Sequence, residues 1–288
     1  MLVMPKRAPK TALVLAGGGS LGAVQVGMLS ELSRAGVKAD FVIGSSVGAL
    51  NAGFFAGSPD AEGVARLAAI WRSLRRSDVF PVTLAGAVGW LRAPDGLFDP
   101  RALRRLIERN LPYRNLEEAK IPVHVLATNL GGVPVRLSSG PAVAAIMASA
   151  AIPVVFPSVR IGAEHLMDGA VSGNTPILAA AELGATRLIV LPTGFACALD
   201  EPPRGAIGRG IHALTLLIAH QMTRDLAHLP RSVEVYTAPS LCPLAISPFD
   251  FTRADDLIAR AADRTRRWLE SDGLSREGAP EMLAPHTH

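Results

Sequence analysis

The sequence predicts an α/β fold with a mainly parallel sheet, and three observations carry that expectation. Short apolar runs end in glycine or in a small-residue turn: TALVLA at 11–16, FVIG at 41–44 and RLIVL at 187–191 read as buried strands. Around them apolar residues recur at helical spacing, and strand and helix alternate with no internal repeat or obvious linker. Of the 288 residues, 49% are hydrophobic and 19% charged, which supplies a large core and excludes a disordered chain.

In chain order, Leu21, Val24, Met28, Leu29 and Leu32 form the first helical stripe, stopped at Gly36. A small-residue helix follows FVIG at 47–56, and Asp60 opens another toward Arg76. Asp99-Pro100 marks a further helix start that turns Leu103, Leu106 and Ile107 inward. PVHVLATN at 122–129 and VPVRLS at 133–138 meet through Gly131-Gly132 as a hairpin. Residues 161–167 form an apolar run, and 175–183 a helix before RLIVL. Two C-terminal stripes close the chain, one from Ile211 through Ile218 and Met222 to Leu229, the other from Leu257 to Leu269. Met1–Lys10 and residues 276–288 read as flexible tails.

Composition narrows the function classes. Two cysteines, Cys197 and Cys242, permit no four-thiolate metal site and fit a reducing compartment. The seven histidines form no HExxH, so no metal and no cofactor is expected. With 5% aromatics and no nucleic-acid motif, nucleic acid is a poor partner despite a net charge of +4. The uncharged stretch 137–159 is divided by Pro141, Pro153 and Pro157 into pieces too short to span a bilayer. No leader is visible, so the expected location is cytoplasmic, with peripheral contact at the inner membrane face.

Three constellations carry chemistry. Gly17-Gly18-Gly19-Ser20-Leu21-Gly22 follows a strand and opens a helix, where backbone N–H groups and the helix dipole favour negative charge. Its G-x-G-x-x-G spacing also fits a dinucleotide loop, although the acidic partner that reading needs, Asp40, precedes the second strand instead of ending it. Gly44-Ser45-Ser46-Val47-Gly48 is a G-x-S-x-G between strand and helix, with Ser46 on the sharp turn and Gly44 and Gly48 giving it room. Asp168-Gly169-Ala170 places a carboxylate before two small residues, so it can project into a cavity.

This set, in this order, resembles the patatin-like phospholipases, serine acyl hydrolases with a Ser–Asp dyad. Further likeness lies in Ala148-Ser149-Ala150-Ala151-Ile152-Pro153, in Phe156-Pro157 and in Asn174-Thr175-Pro176; it extends from about Thr11 to Leu191. The resemblance implies a three-layer α/β/α sandwich in which 11–195 form the catalytic core and 196–275 complete the same domain. It implies Ser46 as nucleophile, Asp168 as base, the amides of Gly17, Gly18 and Gly19 as oxyanion hole, and a lipid or acyl ester as substrate. Where the family often has Lys or Arg, this chain has Leu21. Two other readings stay open at this point: a non-catalytic interaction protein on the same fold, and a dinucleotide-dependent oxidoreductase. No histidine is well placed to turn the dyad into a triad, because His212, His220 and His228 fall in a helical stretch and His165 precedes Asp168 by three residues. The apolar, glycine-bearing stretch 80–98, with Trp90, is the best candidate for a flap toward a lipid surface, with simple core filling as the alternative.

Overall fold

The first strand, β1 (Thr11–Leu15), is buried along its whole length, which is why it reads as an unbroken apolar run rather than an alternating one. In the computed structural model, which describes residues 9–81, 96–194, 221–275 and a few positions between 209 and 218, the chain then forms α1 (Gly22–Arg34), β2 (Phe41–Ser45) and α2 (Val47–Gly57). Next come α3 (Ala61–Ser73), the single turn α4 (Arg76–Val79) and α5 (Arg101–Asn110). The hairpin β3 (Val123–Asn129) and β4 (Pro134–Leu137) is followed by α6 (Ala142–Ser149), β5 (Val159–Ile161) and β6 (Glu164–Asp168). The described chain ends with α7 (Ala170–Gly173), α8 (Ile177–Glu182), β7 (Arg187–Leu191), α9 (Gln221–Leu226), β8 (Glu234–Thr237) and α10 (Ala254–Glu270).

These strands make one eight-stranded sheet in the order β5-β6-β3-β2-β1-β7-β8, with β4 also paired to β3. Its centre is parallel, from β3 through β2, β1 and β7 to β8. Side chains of β1 alternate between two cores. Leu13 and Leu15 pack with α1, α2, α3 and α10 on one face; Ala12 and Val14 pack with Ile177 and Ala180 of α8 and Met222 of α9 on the other. The sheet is therefore sandwiched between helices, the α/β/α arrangement expected. β8 pairs with β7 and α10 packs on α1, so elements after residue 221 share the sheet and the larger core.

One expected element is corrected. Residues 161–167 are not a single run: Ile161 ends β5, a turn at Gly162-Ala163 reverses the chain, and β6 returns antiparallel to both β5 and β3. That reversal brings Asp168 back to the parallel strand ends. The proposed flap lies mostly in 82–95, outside the described residues, as do 276–288 and all but Pro9 and Lys10 of the first ten. Phe80 and Phe98, at the two ends of the 80–98 stretch, are described and touch each other with ring centroids 5.4 Å apart. Among the described residues, no helix is long and apolar enough to cross a membrane.

Candidate active site

Parallel strands end together, and here their ends assemble the site. Leu15 pairs with Gly44 and with Leu191, so the glycine loop after β1 emerges beside the turn after β2. Ser45 pairs with Leu126 and Asp168 pairs with Ala127, the next residue of β3. Ser46, the residue after Ser45, and Asp168, 122 positions apart in sequence, are thus brought to the same level of β3.

Ser46 occupies that turn with φ 53° and ψ −126°. A positive φ on a residue with a side chain costs about 1–2 kcal/mol and persists only where the surroundings enforce it. The bend is tight: a Cβ on Gly44 would lie 2.2 Å from the Gly48 carbonyl oxygen. Ser46 Oγ donates a 2.7 Å hydrogen bond to Asp168 Oδ2, and the Ala170 N–H donates to Oδ1 at 2.8 Å. Asp168 is buried, and burial pushes its carboxyl up to about 7, against the opposing pull of the bonds from Ser46 and Ala170.

The glycine loop approaches Ser46 closely. A Cβ on Gly17 would lie 3.1 Å from Ser46 Cβ and 2.4 Å from Asn174 Oδ1, so a side chain there would have to displace Asn174. Its peptide is pinned on both sides: the Gly17 N–H donates to the Asn174 carbonyl at 3.0 Å, and Thr193 Oγ1 donates to the Gly17 carbonyl at 2.6 Å. The Gly17 amide, one of the three donors expected, is thus already bonded within the protein. The amides of Gly18 and Gly19 donate to no acceptor among the described residues. Gly22 opens α1 and Gly169 follows Asp168 directly.

Ser46, Asp168 and the three loop glycines share one cleft with Leu21, Ile152, Asn174 and Phe249. A second, apolar branch also reaches Ser46 and runs between Leu50, Trp71, Leu103 and Phe156. Among the described residues, no histidine lines either branch or bonds to Ser46 or Asp168. Asp40, the acidic residue a dinucleotide would need, accepts from the Thr11 N–H at 2.6 Å, at the opposite end of the strands from the glycine loop. That reading loses its ribose contact.

A family model for patatin-like phospholipases matches residues 13–181, more than half of the chain. The chain belongs to the patatin-like phospholipase family. Among curated relatives, human patatin-like phospholipase domain-containing protein 6 is 27% identical over 209 residues, covering 72% of this chain and 15% of that protein. Lysophospholipase NTE1 of Scheffersomyces stipitis is 26% identical over 193 residues, covering 64% of this chain and 12% of its own. The chain thus spans a small fraction of the relatives it matches. Among solved structures, VipD from Legionella pneumophila aligns over 91% of this chain and 67% of its own with TM-score 0.47 and 15% identity.

Several residues of this patatin-like site carried no role in the sequence reading. Gln25, fully buried on α1, donates from Nε2 to the carbonyls of Ala16 and Leu191, which fixes the backbone just ahead of the glycine loop. Asn51 donates to Gln25 and accepts from Trp71 Nε1. A glutamine at an apolar position of a buried helix was the visible signal, since such a group must find partners. Ser149 and Asn174 lie in stretches that matched the family, yet nothing local marks their contacts.

Ser45 is the neighbouring serine and the natural decoy. Its Oγ is fully buried and has no hydrogen-bond partner among the described residues. Ser45→Ala should keep ester hydrolysis within about twofold and leave stability unchanged or raise it by up to ~1 kcal/mol, because an unpaired buried hydroxyl is lost. Inactivation by this change, measured beside an active Ser46→Ala, would favour Ser45 over Ser46, the serine expected to be the nucleophile.

Proposed function

We propose that this protein is a serine acyl hydrolase that cleaves carboxylic esters of lipids through an acyl-enzyme on Ser46. The observation that carries this reading is the 2.7 Å hydrogen bond from Ser46 Oγ to the buried carboxyl of Asp168, made where the glycine loop meets the strained turn. Oγ attacks the ester carbonyl carbon while Asp168 takes its proton. The carbonyl oxygen becomes an oxyanion, stabilised by the amides of Gly18 and Gly19 and by the N-terminal end of α1. Collapse expels the alcohol, which leaves with the proton held on Asp168, and the acyl group stays on Oγ. Water repeats the sequence: Asp168 removes its proton, the second oxyanion collapses, and Oγ departs as the hydroxyl, releasing the carboxylic acid.

The apolar branch between Leu50, Trp71, Leu103 and Phe156 receives the acyl chain. The other branch, with the glycine loop and Asn174, receives the alcohol portion. Burial of a chain in such a channel gains roughly 0.8 kcal/mol per methylene, so longer acyl esters should be preferred until the channel is filled. The names of the curated relatives, phospholipase and lysophospholipase, favour lipid esters as the class.

The test is direct. A fluorophosphonate probe is expected to label the protein once, on the peptide containing Ser46. A panel of nitrophenyl esters and lysophospholipids should show turnover rising from acetyl to medium-chain substrates. A protein that is neither labelled nor active on any ester overturns the reading.

A further inference from the structure

We infer that Ser149 is a positioning residue that holds the nucleophile in its strained conformation, and that residues 149–151 set the alignment of both members of the dyad. The inference rests on Ser46 and Asp168 acting as nucleophile and base.

The φ and ψ angles of Ser46 are the rotations between the two peptide groups that flank it. Both groups are held. The peptide that follows Ser46 is fixed by the first turn of α2, where Ala49 and Leu50 donate their N–H groups to the Ser46 carbonyl at 2.9 and 3.3 Å. The peptide that precedes it is fixed by one contact outside the helix: the Ser46 N–H donates to Ser149 Oγ at 2.8 Å. Ser149 Oγ in turn donates to the Leu126 carbonyl at 2.5 Å, so the hydroxyl is tied to β3 and cannot follow a relaxing turn. Ser149 is completely buried at the last position of α6. Its one proton and its lone pairs are closed off from bulk solvent.

Ser149 and Ala151 also hold the other half of the dyad. The Asp168 N–H donates to the Ala151 carbonyl at 3.0 Å, and the Gly169 N–H donates to the Ser149 carbonyl at 3.2 Å. Ser46 and Asp168 thus each bond to the 149–151 segment and to each other, closing a ring in which a shift of either partner breaks a hydrogen bond. Ser149 is the one member of that segment whose contribution comes from a side chain, and so the one that substitution can remove. Without its hydroxyl the Ser46 N–H loses its hydrogen-bond partner, and relaxation from φ 53° toward an ordinary φ swings Oγ away from Asp168.

The experiment compares wild type, Ser149→Ala and Ser149→Thr on a soluble ester, with fluorophosphonate labelling rates and thermal melts for each. Ser149→Ala should lower kcat by 10–100-fold with KM changed less than twofold, and labelling should slow by the same factor. These rates are read well below the melting temperature, so lost stability is separated from lost alignment. Ser149→Thr keeps the hydroxyl and should recover most of kcat, even if its extra methyl lowers the melting temperature. Wild-type kcat in a folded Ser149→Ala variant overturns the positioning role while leaving the hydrolase reading intact. So does a loss that Ser149→Thr, folded, fails to restore. A wild-type protein inert to both probe and ester removes the hydrolase reading and this inference with it.

Discussion

Ser46→Ala is expected to lower ester hydrolysis by at least about 10,000-fold and to abolish fluorophosphonate labelling, because the atom proposed to form the acyl-enzyme is gone. The fold should survive, since Oγ points into the cleft and makes its one bond to Asp168. A second variant separates chemistry from backbone. Ser46→Gly is equally unable to react, but glycine adopts φ 53° freely, and it should be about 1 kcal/mol more stable than Ser46→Ala. A difference of that sign, measured by denaturant melts at one pH, would identify the turn as strain retained for activity. Hydrolysis that persists in Ser46→Ala at more than a percent of wild type would remove Ser46 from the reaction altogether.

Much of this site is legible in the sequence because its parts are local. A strand that ends in three glycines, a G-x-S-x-G turn and an Asp-Gly pair each need only a few adjacent residues, and each sits in the structure where its context predicts. What the sequence left unread depends on contacts made across the fold. Gly17, Gly18 and Gly19 look alike in sequence, yet Gly17 spends its amide on the Asn174 carbonyl, a partner 157 positions away that no spacing rule reveals. The β5–β6 reversal was hidden because Ile161 and Leu166 flank a polar pair, Glu164 and His165, that a short apolar run absorbs without signalling a turn. Ser149 looked like any small residue at a helix end, and its role exists only once β2, β3 and α6 are packed together.

Burial supplies the last property, and with it a prediction in which activity and stability move in opposite directions. Asp168→Asn keeps the size of the side chain but cannot accept the Ser46 proton, so hydrolysis should fall by about 1,000-fold or more. In the wild type the same proton governs the pH profile. With the carboxyl raised to about 7 by its burial, kcat/KM should climb with pH through a single inflection near 7 and then level, as the carboxylate becomes the populated form. The sign for stability follows from linkage. Between about pH 4 and pH 7 the folded protein retains on Asp168 a proton that the unfolded chain, with an ordinary aspartate value of ~3.9, has released. The native state therefore loses stability as pH rises through that window, by on the order of 4 kcal/mol in total, and the loss is complete above pH 7. Asparagine has no charge to bury. Its melting temperature should match wild type near pH 4 and exceed it by several degrees at pH 8, with the gap opening across the same window in which wild-type activity appears. Parallel melting curves for the two proteins from pH 4 to pH 8 would mean that Asp168 ionises with an ordinary value, and the rise of activity near pH 7 would have to come from another group.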